Sequence, residues 1–450
     1  MTGRDVAYRG FRFTAGACPG TADGVRATAH GLTPAGRRRP DPDGSRHERG
    51  SWTSPPVSAG FGVREIVPSW TARTPPGCWI EVEVRGWHDD APATGWYRLA
   101  RWAEGEEPAH RCSVPGQRDP DAHVDTDTLV VDAATVTGWQ VRVTLLRPWG
   151  ASAGPTLHTV GAVASGAPEP PSRPSADGTD GPAPGPTGTP AAGPTDSPAP
   201  GPTGAPAVGQ TASPTGAPTE SPAAGVPAGP AGSGVGGPAA GRAGASARGT
   251  VLDVPRFSQR RHTGDETRWG GGGDSWCSPT CTSMVLAWWG AGPAPQRYAW
   301  VDPPGPRPVV VHAARHCYDT AYDGCGNWSF NTAYAGLHGV EAFVTRLRSL
   351  VEAEAFVAAG IPLVLSAAFR AGEVPGLDYD TRGHLMVLVG FTDAGDPVLN
   401  DPYAPDDESV RRTVDRGRFE AAWQGGSGGA AYVIHPASVA LPPPPGQANW

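Results

Sequence analysis

Apolar and charged side chains alternate along CWIEVEVRG, residues 78–86. Ile80, Val82 and Val84 fall on one face of an extended chain, and the intervening Glu and Arg side chains fall on the other. Similar short runs occur in GWQVRVTLLR, GWYRLARWA and DTLVV, separated by Gly, Pro and Asp turns. The pattern predicts an all-β, jelly-roll-like sandwich over residues 8–164.

The predicted sandwich is rich in tryptophan. An exposed indole can stack on a sugar, but the large area of the ring more often fills the core of a small sandwich. We therefore expect most of these rings in the core, with a carbohydrate or another cell-surface ligand as a candidate partner of this domain. The tryptophans are Trp52, Trp70, Trp79, Trp87, Trp96, Trp102 and Trp139.

Pro, Gly, Ala, Ser and Thr dominate residues 165–249, with degenerate repeats such as GPTGTPAAGPTDSPAPGPTGAPA. This segment has too few aromatic and branched apolar side chains to offset the entropy of ordering. It predicts a disordered linker, and its prolines favour an extended one. The linker separates the sandwich from a second domain at residues 250–445, and the final LPPPPGQANW reads as a frayed tail.

The second domain mixes helical and extended patterns, which predicts an α+β fold. VPRFSQRRHTG is typical of a strand and a loop. GGGGDSWCSPTCTSMVLAWWG, residues 270–290, is a Gly-rich loop that enters a buried helix, with Pro279 in the first turn. The run HLMVLVGF, the turn DAGD and the segment PVLNDPY predict a hairpin.

Charge and hydropathy exclude some classes of function. The net charge is −8, and all 36 basic residues are Arg. An acidic chain does not fit nucleic-acid binding. The chain contains no run of 18 apolar residues, so the sequence predicts no membrane span. The first 20 residues also lack the apolar stretch and cleavage site of a secretory signal.

Seven cysteines make a complete disulfide framework unexpected. Cys277 stands at the predicted helix start, where free N–H groups and the helix dipole favour a thiolate. Cys281, one turn later, shares a stripe with Met284, Val285 and Trp288 at core spacing. We therefore expect Cys277 to be reactive and Cys281 to be packed.

A metal site is an alternative reading of this cysteine pair. It would need further ligands from Cys317, Cys325 or a histidine, and closed zinc sites usually place their cysteines in turns. Cys317 and Cys325 frame HCYDTAYDGCGNW, a loop that a disulfide closes only in an oxidising compartment. The acidic segment DPDAHVDTDT lacks the glycine and distal glutamate of a calcium loop. The sequence predicts neither a metal nor another cofactor.

A thiolate nucleophile needs a base and an oxyanion donor. His384 begins the first strand of the predicted hairpin and Asp401 follows the second, so the carboxylate can orient the imidazole toward Cys277. Asn400 competes for this orienting role, and Asp401 alone equally suits a turn cap before a proline. Gln259 lies upstream and can donate its amide to an oxyanion.

These segments resemble papain-like cysteine peptidases related to the double-glycine leader peptidases, family thirty-nine of the cysteine class. The matching segments are FSQ, WCSPTCTSMVL, GCGNWSFNTAYAG, AGIPLVLSAAF, GHLMVLVGF and LNDPY. The first domain resembles the sandwich that precedes such peptidases in actinobacterial proteins. The resemblance implies that Cys277 is the nucleophile, His384 the base, Asp401 the orienting acid and Gln259 the oxyanion residue.

The resemblance implies a cysteine peptidase that hydrolyses peptide bonds in a peptide or protein substrate. Such leader peptidases are usually fused to a membrane exporter, so leader trimming does not follow here. Relatives with a sandwich are typically exported, which makes a secreted or cell-envelope location the expectation. Two alternatives stay open: a catalytically silent peptide-binding or adhesive module, and a transpeptidase or isopeptidase that resolves the same acyl-enzyme with an amine.

Overall fold

The alternating segments of the N-terminal region form two antiparallel sheets. In the described part of this region the strands are β1 (Val6–Arg12), β2 (Thr21–Asp23), β3 (Val25–Thr28), β4 (Gly31–Pro34), β5 (His47–Thr53), β6 (Val57–Ser58), β7 (Glu65–Arg73), β8 (Trp79–His88), β9 (Ala91–Pro92), β10 (Tyr97–Trp102), β11 (Cys112–Ser113), β12 (Ala122–Asp125), β13 (Thr128–Val131), β14 (Gly138–Pro148) and β15 (Thr156–Ser165). One sheet has the order β12-β13-β7-β15-β4-β3, with β1 also beside β15. The other has the order β11-β10-β8-β14-β5-β2, with β6 beside β14 and β9 beside β8.

The predicted inward face of β8 is the buried one. Ile80, Val82 and Val84 are each inaccessible to solvent, and their cross-strand neighbours on β14 are buried as well. Removal of these branched side chains from water on one face of each sheet drives the two sheets together. The all-β fold predicted for this region is therefore confirmed.

The tryptophans of the sandwich divide into two groups. Trp52, Trp70, Trp102 and Trp139 are fully buried in the core. Trp79, Trp87 and Trp96 are half-buried, and two guanidinium groups each lie 4.4 Å from the centroid of the Trp96 ring. The core interpretation thus holds for four of the seven rings, and a ligand of this domain stays a prediction.

The C-terminal region is α+β, as predicted. Its described elements are α1 (Cys277–Trp288), α2 (Pro308–Cys317), α3 (Trp328–Gly336), β16 (Glu341–Arg346), α4 (Leu350–Ala358), β17 (Leu363–Phe369), β18 (Thr381–Phe391), β19 (Pro397–Asn400), β20 (Arg411–Thr413), α5 (Arg416–Ser427) and β21 (Ala430–His435). The six strands form one antiparallel sheet in the order β16-β21-β17-β18-β19-β20.

Both faces of this sheet are covered. Along β18, Leu385 and Val387 belong to the apolar cluster that includes α1 and α3, whereas Met386 and Leu388 belong to the cluster that includes α4 and α5. The period of two along a strand sends successive side chains to opposite faces. An uninterrupted apolar run is therefore what a strand between two helical layers requires.

The two regions share one apolar cluster. Strand β7 is buried along almost its whole length because α3 packs on its outer face. The Phe330 ring of α3 lies 6.2 Å from the Trp70 ring, and the Ser329 hydroxyl donates to the Pro68 carbonyl at 2.6 Å. The sequence treats the two regions as separate domains, whereas the structure packs them into one unit.

A buried ion pair also crosses between the regions. The Arg346 guanidinium of β16 lies 2.5 Å from the Glu65 carboxylate, and Arg4 lies 3.0 Å from the same carboxylate. These charges hold the pKa of Glu65 below its usual value, against the opposing effect of burial. The contact therefore fixes the position of β7 relative to β16.

Two local expectations need correction. The C-terminal segment is docked, since the Asn449 amide donates to the Arg346 carbonyl at 2.8 Å and the Trp450 ring lies 4.9 Å from Phe356. The amide and indole supply partners that a frayed tail would lack. VPRFSQ forms no strand; it runs without regular structure into a 3₁₀ turn at Gln259–His262, held by the Gln259 N–H bond to Pro402 O.

The structure is a computed structural model that describes residues 4–36, 46–106, 110–133, 135–167, 247–302 and 305–450. The predicted linker, residues 165–249, lies outside these ranges except at its two ends. Among the described helices, none combines the length and apolar character needed to cross a membrane.

Candidate active site

Cys277 is the first residue of α1, at the end of the Gly-rich loop. Trp276 is the residue before the helix, and its side chain makes no hydrogen bond to the first turn. No capping side chain therefore occupies the first N–H groups of α1. Gly272 has φ of +85°, and a Cβ on Gly273 would lie 2.5 Å from the Gln259 carbonyl oxygen. The glycines therefore allow the loop to turn tightly against the Gln259 segment and present Cys277 beside it.

The hairpin of β18 and β19 brings His384 and Asp401 together. Val387 pairs with Asn400, which places the residue after β19 near the start of β18. The His384 Nε2 atom and the Asp401 Oδ1 atom are 2.8 Å apart, and both side chains are buried. Cys277 and the imidazole line the same cavity, and each shifts the pKa of the other. The structure thus joins the three residues in the order that the sequence suggested.

The charges of these groups stabilise one another. Burial opposes ionisation of Cys277, but the hydrogen bond and the charge of His384 outweigh it and lower the pKa of the thiol. Burial likewise opposes the charged imidazole, yet Asp401 and Cys277 raise the pKa of His384 to about 10. Both directions favour a thiolate and imidazolium pair near neutral pH.

Asp401 is itself held in place. Its Oδ1 atom also accepts the Tyr403 N–H at 2.9 Å, and its Oδ2 atom lies 3.4 Å from Arg412 Nε. His384 opposes the effect of burial and lowers the pKa of Asp401. The Tyr379 ring stands edge-on to the imidazole at 5.5 Å. No periodic pattern marks Tyr379, Tyr403 or Arg412 in the sequence, because these residues come from irregular or short segments.

Gln259 lines the same cavity as Cys277 and His384. Its Nε2 atom donates to the Asp274 carbonyl at 2.9 Å, while its backbone N–H donates to the Pro402 carbonyl at 2.8 Å. A side-chain amide carries two N–H donors, so one remains for a ligand. The residue is therefore positioned by the segments on either side of the site.

Asn400, the competing orienting residue, is occupied elsewhere. Its amide nitrogen donates to the Val254 and Pro255 carbonyls, at 3.3 and 3.1 Å. Its oxygen accepts from Arg411 Nε at 3.0 Å. Asn400 thus fastens the segment that leads to Gln259, and Asp401 is the residue that contacts the imidazole.

Cys281 lies in the core of the fold, one turn from Cys277. Its thiol is inaccessible to solvent and lies 3.2 Å from the Leu385 carbonyl, to which it donates. Burial raises the pKa of this thiol well above its usual value. A neutral thiol is a poor nucleophile and a poor metal ligand, so its environment is that of a packed side chain.

Cys317 and Cys325 are also buried free thiols. The Cys325 thiol donates to the Ala314 carbonyl at 3.5 Å, and burial raises its pKa well above the usual value. Within the described residues, no group of three or more His, Cys, Asp or Glu side chains is arranged to hold a metal ion. The cysteines of this region therefore act as separate thiols in the structure.

The reactive groups open into a cavity of about 800 Å³. One side is built from α1, β18 and the segments around them. Tyr322 and Trp328 contribute to the lining, and residues 125–128 of the N-terminal sandwich complete it. These last residues belong to DPDAHVDTDT, the acidic segment in which the sequence offered no functional reading beyond a rejected calcium loop.

Comparison with family models gives two matches along the chain. Residues 7–165 match the Peptidase C39 N-terminal domain, and residues 251–431 match the Peptidase_C39 like family. The matched segments coincide with the sandwich and with the α+β region that holds Cys277, His384 and Asp401. No curated protein matches the chain.

Proposed function

The chain belongs to the C39-like cysteine peptidases of the actinobacterial type, and from this premise we propose that it hydrolyses peptide bonds with Cys277 as the nucleophile. His384 is the general base and acid, Asp401 orients it, and Gln259 binds the oxyanion. The observation that carries the proposal is that Cys277 and His384 line one cavity while the His384 Nε2 atom lies 2.8 Å from Asp401 Oδ1.

The first half of the reaction forms an acyl-enzyme. The Cys277 thiolate attacks the carbonyl carbon, and the electron pair of the C=O bond moves onto oxygen. When the tetrahedral intermediate collapses, the C–N bond breaks and the imidazolium of His384 donates its proton to the leaving amine. The lowered pKa of Cys277 supplies the nucleophile, and the raised pKa of His384 keeps the acid protonated until that step.

The second half of the reaction releases the acid product. Neutral His384 takes a proton from water, the hydroxide oxygen attacks the thioester, and Cys277 leaves as a thiolate. Asp401 holds the Nε2 side of the ring throughout, which directs the other nitrogen to the sulfur. The free N–H of Gln259, together with backbone N–H groups at the start of α1, is positioned for the negative oxygen.

The proposal is tested by incubating the intact chain with a defined peptide library and identifying the products by mass spectrometry. We expect new amino and carboxyl termini with the wild type, and none with Cys277→Ala. Iodoacetamide is expected to modify Cys277 ahead of the other thiols. Peptide cleavage that survives in Cys277→Ala would disprove the assignment.

Addition of a primary amine to the same incubation separates hydrolysis from transfer. Hydrolysis gives products with free carboxylates, whereas a transpeptidase gives amides of the added amine. We expect free carboxylates as the main products. Products that carry the amine at millimolar amine concentrations would assign the transfer reaction instead.

A further inference from the structure

The turn between β12 and β13 is the part of the N-terminal sandwich that reaches the cavity. Asp125 pairs with Thr128 across the hairpin, and Thr126 takes φ of +51° in the two-residue turn between them. All four residues from 125 to 128 line the cavity that contains Cys277. The cavity is therefore closed on one side by a segment remote in sequence from the α+β region.

A buried contact fixes this turn against the α+β region. The Asp127 Oδ2 atom accepts the Trp328 N–H, the first of α3, at 2.6 Å. Helix N-termini leave such N–H groups without intrahelical partners, so a carboxylate there is favoured. Asp127 is buried, and Trp328 also lines the cavity. The turn is thus a fixed part of the cavity wall.

The described lining carries an excess of negative charge. Besides Cys277 and His384, whose charges offset each other, the described lining includes one guanidinium, that of Arg382, and five carboxylates, none of which forms an ion pair within the described ranges of the chain. The carboxylates belong to Asp125, Asp127, Asp274, Asp323 and Asp380. Asp125 is exposed, and the half-exposed Tyr322 ring lines the same cavity as Asp125 and Cys277. Burial raises the pKa of Tyr322, and the charges of Cys277 and Asp125 add to this effect.

A second observation also indicates a donor-rich ligand. The Gln259 Oε1 atom has no hydrogen-bond partner among the described residues, although the side chain is only 1% exposed and lines the cavity. Buried polar atoms without a partner are rare in folded proteins. A peptide N–H or a basic side chain would satisfy it.

We propose that the turn at residues 125–128 is a substrate-binding wall, and that Asp125, Asp323 and Tyr322 select peptides with a basic side chain near the scissile bond. A guanidinium or ammonium group finds two carboxylates there and an aromatic face for cation–π contact. This inference rests on the proposed peptidase function of the same cavity, and it makes the sandwich part of the specificity site.

The local charge can be measured without any turnover. Two small thiol reagents of similar size are compared, the cationic trimethylammonium-ethyl and the anionic sulfonatoethyl methanethiosulfonates. Each transfers its thioalkyl group to the Cys277 thiolate and releases methanesulfinate. The rate at which the cationic reagent modifies Cys277 is divided by the rate for the anionic reagent, with both rates read by peptide mass. This ratio is then divided by the same ratio for free glutathione, and the normalised ratio reports the electrostatic potential at the sulfur.

We expect a normalised ratio of about 10 for the wild type, and a decrease of about threefold in Asp125→Asn and in Asp323→Asn. Asp90→Asn is the matched control, because it removes an exposed carboxylate from another turn of the same sandwich. The control should retain the wild-type ratio. An equal ratio in wild type, Asp125→Asn and Asp90→Asn would overturn the inference even if peptides are cleaved.

The peptide library supplies the second readout. Sites cleaved by the wild type should be enriched in Arg or Lys within three residues of the scissile bond, and Asp125→Asn should reduce that enrichment. If the wild type shows no such enrichment, or if Asp125→Asn shows the same enrichment, the proposal that the turn selects basic side chains is wrong. If the wild type cleaves nothing, the proposed function fails, and the reagent ratio still decides whether the wall is cation-selective.

Discussion

The two sides of the cavity were assembled in different ways. On one side, the α+β region supplies Cys277, His384, Asp401 and Gln259, each held by hydrogen bonds within that region. On the other side, the β12–β13 turn supplies carboxylates, and one of them, Asp127, accepts the first N–H of α3. The first side determines whether the site reacts, and the second determines what shape and charge it accepts.

A domain boundary in the sequence need not be a boundary of the functional site. The two regions are matched by separate family models, yet one apolar cluster runs through both. Variants of His384, Gln259 and Asp401 should reduce turnover, and variants of the turn should alter stability or selection.

The largest effect is expected for His384→Ala, which removes the proton carrier. Turnover should fall on the order of 10⁴-fold or more. Without the imidazolium, only the backbone contributions of Ser278 and Leu385 oppose the effect of burial, so the pKa of Cys277 rises and its alkylation at pH 6 should slow sharply. The pH profile of iodoacetamide labelling measures this change. Unchanged labelling at pH 6 would show that His384 does not activate the thiol.

Gln259→Ala should lower kcat by about 10²- to 10³-fold, because one oxyanion donor is lost. KM should change little, since the developing negative oxygen exists only in the transition state. Steady-state kinetics on one cleaved peptide separate the two constants. A variant that raises KM and leaves kcat intact would assign Gln259 to ground-state binding.

Asp401→Asn should lower turnover less than the loss of His384 does, because the imidazole that carries the proton remains. The oxygen of the new amide still accepts the hydrogen bond from Nε2. The substitution nevertheless removes the negative charge that raises the pKa of His384. The alkaline limit of activity, expected near pH 10 in the wild type, should therefore move to lower pH. An unchanged limit would mean that Asp401 contributes position without charge.

On the opposite side, Asp127→Asn tests the fixed wall through stability. Burial raises the pKa of Asp127 to about 6, so its contribution to stability is fully present below its unfolded pKa and lost as the pH rises through 6. Asn does not titrate. Relative to the wild type, the variant should gain about 2 kcal/mol between pH 4 and pH 8.

Urea unfolding at several pH values measures this difference, with Asp90→Asn as the control. The control should show no such gain, because its carboxylate is exposed. A constant difference between Asp127→Asn and the wild type from pH 4 to pH 8 would indicate that Asp127 does not titrate as a buried group.

The smallest effect is expected for Cys281→Ser. The hydroxyl can still donate to the Leu385 carbonyl, so the free energy of unfolding should fall by only about 1 kcal/mol. Turnover and labelling of Cys277 should stay close to wild type. Loss of activity in a folded Cys281→Ser variant would reverse the roles assigned to the two cysteines.

Much of the fold could be predicted from local sequence patterns. The alternation in β8 predicted its buried face, and the apolar run of β18 predicted one strand of a hairpin. The start of α1 at Cys277 followed from the loop before it and from Pro279. These features depend on neighbours in sequence, so the chain itself contains the information.

The docked C-terminus and the absence of a strand at VPRFSQ could not be read in this way. The last residues, LPPPPGQANW, have the composition of a tail, but Asn449 and Trp450 find partners that are distant in sequence. VPRFSQ has apolar positions suited to a strand. Its carbonyls at Val254 and Pro255 are instead satisfied by the Asn400 side chain.

The sequence by itself determined the residue types of the reactive side, because a nucleophile at a helix start and a hairpin with His and Asp at its ends are short-range features. Only the tertiary structure decided that Asp125 and Asp127 line the cavity that contains Cys277. That proximity depends on packing of β7 against α3 and on the bond from Trp328 to Asp127. Such contacts join residues about 200 positions apart, and no local periodicity encodes them.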